Sequence, residues 1–125
     1  EFQGLQWMLA DMSVQLEASR SLLHRAALSA GHNGSPFPDA TLAAQGKIFT
    51  SEMALKVTTD ALQIFGARGY SRNYPMERLA RDARMFTIGG GTAQILRTVV
   101  ASRILGKKLP QRRDGYMNMP RATGA

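Results

Sequence analysis

The sequence predicts an all-α protein of the up-and-down four-helix-bundle type, with three long helices and one short helix present. Two observations carry this expectation. Apolar residues recur at alternating steps of four and three along the long segments. No run before residue 106 alternates apolar and polar residues as a strand would. Clusters of glycine and proline separate the periodic segments and supply the turns between them.

Leu5, Leu9, Met12, Leu16, Ser19, Leu23 and Ala26 draw one stripe down the first helix. The stretch "GHNGSPFPDA" stops it, and Asp39 is an N-cap for a second helix over about Thr41 to Phe65. Ile48, Phe49, Met53, Leu55, Ala61, Leu62 and Phe65 are its expected buried positions, with Gly66 and Gly69 as its end. Pro75 suits the first position of a short helix reaching about Arg84. A third long helix follows from about Thr92 to Leu105, stopped by Gly106. Residues 1–106 thus read as the bundle and 107–125 as a basic extended tail. The first helix starts almost at residue 1 and leaves one flank uncovered, so the expected bundle has its own first helix upstream.

Composition excludes several chemistries. The chain has no cysteine, which removes disulfides, thiolate metal ligands and cysteine nucleophiles. His24 and His32 stand apart without a clustered third ligand, so no metal site is expected. No apolar run approaches the roughly 20 residues of a membrane span, and no leader is recognisable, so a soluble, cytoplasmic protein is expected. The net charge of +7 is uneven: residues 1–71 hold five Lys/Arg against six Asp/Glu, and residues 72–125 hold eleven against three. The basic half lacks interleaved aromatics and any nucleic-acid motif, so it reads as a solvated surface with no nucleic-acid partner.

Between the last two helices lies "FTIGGGTAQILR", where Gly89, Gly90 and Gly91 lead directly into a helix start at Thr92. Three residues without side chains could cradle a phosphate, let a cofactor approach the backbone, or mark a lost functional group. Three runs bear on the choice: Gln63 to Tyr70, Tyr74 to Ala83, and Gly91 to Arg97. In order and spacing, residues 2–106 resemble the C-terminal helical domain of the acyl-CoA dehydrogenases.

The resemblance implies a flavoprotein that dehydrogenates the α and β carbons of an acyl-CoA thioester. It implies FAD as cofactor, an electron-transferring flavoprotein as redox partner, and a homodimer or homotetramer. It places Gln63, Gly66 and Ala67, with Phe2 and Gln3, against the FAD of a neighbouring subunit, Ala67 standing where a second glycine is common. Thr92 and Gln94 fall at the FAD of their own subunit, where a helix start favours an anion. These contacts alone are too few to retain FAD, so the stretch by itself is expected to be inactive.

The resemblance also puts Gly90 where most of the family has its catalytic glutamate, and Gly89 where it has an aromatic residue. No residue of this chain is therefore assigned as catalytic, and Gly89, Gly90 and Gly91 become a loop near the substrate. A carboxylate entering from the upstream helix, one supplied by a partner subunit, or a non-catalytic helical oligomerisation module are the alternatives this leaves. Glu77 reads as a surface partner of Arg81, and Asp11 and Glu17 as solvated.

Overall fold

The computed structural model describes residues 2–110. Its elements are α1 (Gln3–Leu28), a 3-10 turn at His32–Gly34, α2 (Ala40–Phe65), α3 (Ala67–Tyr70), α4 (Met76–Phe86) and α5 (Ala93–Ile104). The described residues are all-α, with no strand among them. The basic tail beyond residue 110 lies outside the described residues.

The punctuation acts where the sequence placed it. Asp39 caps α2, its Oδ1 accepting from Thr41 N and Leu42 N at 2.9 Å each. Pro75 is helical in backbone (φ −75°) and its carbonyl accepts from Leu79 N, so it opens α4. One boundary differs. Gly66 (φ 58°) ends α2, but the chain then makes the short helix α3 instead of a loop, and Gly69 is buried inside it. Gly69 is required by proximity: a Cβ there would lie 2.5 Å from the Leu62 carbonyl oxygen and 2.9 Å from Phe65 Cβ.

α2 is the centre of the arrangement. It packs against α1, α4, α5 and α3, whereas α1 packs on α2 alone and α4 does not pack on α5. The residues buried along α2 are Ala44, Gly46 and Ser51. On α1 the buried residues are Met12, Ser19 and Ala26. Small side chains occupy the lines of closest approach, and larger ones flank them. Buried hydroxyls are satisfied within their own helices, Ser19 by Gln15 O (2.8 Å) and Ser51 by Ile48 O (3.1 Å).

The expected α1 stripe is therefore only partly a core. Leu9 and Leu23 remain 56% and 48% exposed, because one neighbouring helix covers only a narrow strip of a helix surface. On α2, Phe65 is 49% exposed and the other large apolar residues are half-buried, so the small residues and not the large ones mark its contact lines.

The register of α1 on α2 is antiparallel. Ser29 Oγ accepts from Asp39 N at 2.8 Å, and a Cβ on Gly46 would lie 3.8 Å from Leu23 Cδ2. Further along, Asp11 acts on Lys56. Carried on at the same pace, this register sets Phe2 and Gln3 opposite Phe65 and Gly66.

Two glycines of similar appearance should respond oppositely to alanine. Gly46→Ala meets only ordinary contacts and gains helix propensity, so unfolding free energy should rise by about 0.5–1 kcal/mol. Gly69→Ala forces the α2–α3 junction apart and should cost about 1–3 kcal/mol. Urea unfolding followed by circular dichroism distinguishes them; equal effects would contradict the packing described.

Candidate functional site: the glycine loop and its cleft

α4 does not stop sharply. Thr87 N donates to Arg84 O (3.2 Å), Ile88 N to Met85 O (3.0 Å) and Gly89 N to Met85 O (2.8 Å), which tightens its last turn. The chain then reverses through Gly90 (φ 66°) and Gly91 (φ 91°), both in the left-handed region that disfavours a side chain. Space is not the constraint at Gly90, where a Cβ would meet nothing within 4 Å. At Gly89 a Cβ would stand 3.0 Å from Met85 Sδ, a tight contact with a flexible side chain that is itself 54% exposed.

Two ties close the base of this loop. Ala93 N donates across it to Thr87 O at 3.0 Å. From α2, Lys47 Nζ donates to Phe86 O at 2.6 Å and to Gly91 O at 2.7 Å. Thr92 then caps α5, its Oγ1 accepting from Ile95 N at 3.1 Å. Among the described hydrogen bonds, Gln94 N has no acceptor, so one first-turn amide of α5 remains open.

Beside the loop lies a cleft of about 450 Å³ walled by α2, the end of α4 and the start of α5. Thr92 and Gln94 line it together with Glu52, Lys56, Asp60, Arg84, Thr87 and Ile88. Its two carboxylates are already engaged. Arg97 reaches from α5 to Glu52 at 2.8 Å, and that hydrogen bond holds the Glu52 carboxyl below its usual range. Lys56 pairs with Asp60 one turn along α2, and this raises the lysine. Held in this way by a cation, the Glu52 carboxylate is a poor proton acceptor and is not suited to serve as a general base.

The predicted site residues form two groups. Thr92 and Gln94 share the cleft, with Gly89–Gly91 as its adjoining loop. Gln63, Gly66 and Ala67 lie outside it, exposed where α2 passes into α3, and the α1 register carries Phe2 and Gln3 to that same end. Glu77 pairs with Arg81 at 2.9 Å on the surface and is lowered by it, as its spacing suggested. Sequence reasoning did not find Lys47, the Glu52–Arg97 pair or Arg84. Lys47 reaches acceptors 39 and 44 positions away, and nothing local in the sequence signals such a contact.

Residues 1–105 match the family model for the acyl-CoA dehydrogenase C-terminal domain. The chain belongs to the acyl-CoA dehydrogenase family. It is 68% identical over 94% of its length to the 3-sulfinopropanoyl-CoA desulfinase of Advenella mimigardefordensis, covering 28% of that protein. A relative of the same name from Cupriavidus necator is 64% identical over 94% of the chain and is covered to 29%. Among solved structures, butyryl-CoA dehydrogenase from Megasphaera elsdenii superposes with a TM-score of 0.77 at 41% identity, over 84% of this chain and 27% of that one. The chain thus spans less than a third of the length of these relatives.

Acyl-CoA dehydrogenases are FAD-dependent oxidoreductases, and the cleft presents donors of the kind that group requires. A threonine hydroxyl, the Gln94 amide with an open backbone N–H and the Arg84 guanidinium are donors gathered at a helix start. Such a set suits the oxygen-rich pyrophosphate and ribose end of a dinucleotide. None of the described helices is long and apolar enough to cross a membrane.

The Glu52–Arg97 pair ties α5 to α2 and gives a pH signature. Glu52 is a depressed carboxyl, so its contribution is present above its ordinary value of 4.5 and is lost as pH falls through the lower folded value. Both side chains are about half exposed and screened by solvent, so Arg97→Gln should be only slightly destabilising near neutral pH. The gap between wild type and variant should close on acidification and shrink in high salt. A gap that widened below pH 4.5 would contradict the pairing.

Proposed function

We propose that this chain is the C-terminal helical part of a flavoprotein that removes sulfinate from the β carbon of 3-sulfinopropanoyl-CoA. The observation that supports the reading is Gly90: the position at which the family's dehydrogenases carry their glutamate has only backbone here. Dehydrogenation requires a group to accept the α proton. Desulfination does not. In R–SO2⁻ + H2O → R–H + HSO3⁻ the C–S bond breaks, a proton from water ends on the β carbon, and the hydroxyl ends on sulfur. No electrons leave the substrate, so no electron-transferring flavoprotein is needed. A side-chain-free loop is a deficit for the first reaction and none for the second.

The family's FAD, when bound, supplies the redox group of dehydrogenation. In this chain Thr92 and Gln94 would hold the dinucleotide end of its own subunit's FAD, with Arg84 adding positive charge. Phe2, Gln3, Gln63, Gly66 and Ala67 would serve the flavin of a neighbouring subunit, a role favoured by their gathering at one end of the α1–α2 pair. A homodimer or homotetramer fits the exposed apolar face of α1, where Trp7 and Val14 are 63% and 66% exposed.

A second reading keeps dehydrogenation, with a carboxylate from outside this chain and an electron-transferring flavoprotein as partner. The likeness to butyryl-CoA dehydrogenase favours it. Mixing full-length enzyme with 3-sulfinopropanoyl-CoA separates the two. We expect one sulfite per thioester with the flavin absorbance unchanged; bleaching by butyryl-CoA without sulfite release would support the second reading instead.

Gly90→Glu sharpens the comparison. The left-handed backbone there should cost about 1–2 kcal/mol in strain, though the space is open. We expect sulfite release to fall by about tenfold or more from crowding and an added charge, while butyryl-CoA gains the ability to bleach the flavin. A variant that releases sulfite at the wild-type rate would place Gly90 away from the reacting atoms.

A further inference from the structure

One side chain pins both ends of the glycine loop. Lys47 leaves the N-terminal third of α2 half-buried, and its ammonium donates to Phe86 O at 2.6 Å and Gly91 O at 2.7 Å. Neither carbonyl has another donor among the described hydrogen bonds. In a continued helix Phe86 O would accept from Gly90 N, but the described hydrogen bonds contain no such contact. Gly91 O would accept from Ile95 N, which goes to Thr92 Oγ1 instead. An ammonium carries three donors on a flexible stem, so it can serve two carbonyls that do not lie in one plane. It also sits at the C-terminal end of α4, where the helix dipole favours a cation.

We propose that Lys47 is a positioning residue: by bridging Phe86 O and Gly91 O it holds the base of the glycine loop closed, and so sets where Gly89–Gly91 and the start of α5 stand against the cleft. The amide of Ala93 reports on this most directly, because its bond to Thr87 O crosses the base of the loop. A consequence for turnover rests on the reading of this loop as part of the acyl site; the tie itself does not.

The test uses the full-length enzyme with Lys47→Met and Lys47→Cys, the latter alkylated to carry either an aminoethyl or a hydroxyethyl group. Wild type taken through the same alkylation is the control. In Lys47→Met, hydrogen exchange over residues 86–95 should accelerate about tenfold while α1 is unchanged. The KM for the CoA thioester should rise more than kcat falls. Aminoethylation of Lys47→Cys restores the ammonium and should restore both slow exchange and KM; hydroxyethylation should not. Unchanged exchange in Lys47→Met, or equal rescue by the hydroxyethyl group, would overturn the proposal. Should Lys47→Met fail to fold, the two alkylated forms decide, since they differ only at the terminal group. Wild type that releases no sulfite would sink the desulfination reading alone, because the exchange result still judges Lys47.

Discussion

The close approach of α1, α4 and α5 to a single helix is the constraint on which this structure depends. α2 offers small residues at its contact lines, with Ala44, Gly46 and Ser51 buried there. At Gly46, α1 lies close enough that an added Cβ would touch Leu23 at ordinary van der Waals distance. Because α4 and α5 meet α2 and not each other, the loop between them is positioned by what reaches it from α2. Lys47 makes that connection one position beyond Gly46, and Glu52 makes another to Arg97. Packing around α2 and polar ties from it are therefore parts of one arrangement.

The site inherits its chemistry from this arrangement. The left-handed turns at Gly90 and Gly91 bring the chain back to Thr92, which caps a helix whose second amide stays open. The loop's contribution is backbone, space and position. The cleft's two carboxylates are already paired, Glu52 with Arg97 and Asp60 with Lys56, while Arg84 adds a cation. Such a surface can bind an oxygen-rich ligand and shape a pocket, and it offers no free carboxylate to a C–H bond.

Most of the helical layout was legible because its signals are local. Asp39, Pro75, Gly66 and Thr92 act within three or four residues of themselves, and the structure uses each where its chemistry places it. The glycine loop was legible as a feature, and its meaning came from the family resemblance. Three things were not legible. α3 was missed because Gly69 reads as a stop, although it is there for close approach to Leu62. The identity of the buried residues was misjudged because apolar periodicity marks a face, whereas the neighbour's position decides which part of that face is covered. Lys47 was missed because its acceptors lie far along the chain and are carbonyls, which every residue has.

The central claim is that the reaction next to this loop involves no proton transfer at the α carbon. Turnover of 3-sulfinopropanoyl-CoA by the full-length enzyme in D2O, with product and recovered thioester analysed by mass spectrometry and NMR, tests it most directly. The account predicts a single deuterium at the β carbon of the propanoyl product and none at the α carbon of either species. Deuterium at the α carbon of recovered thioester would show that a base reaches that proton, and would contradict it.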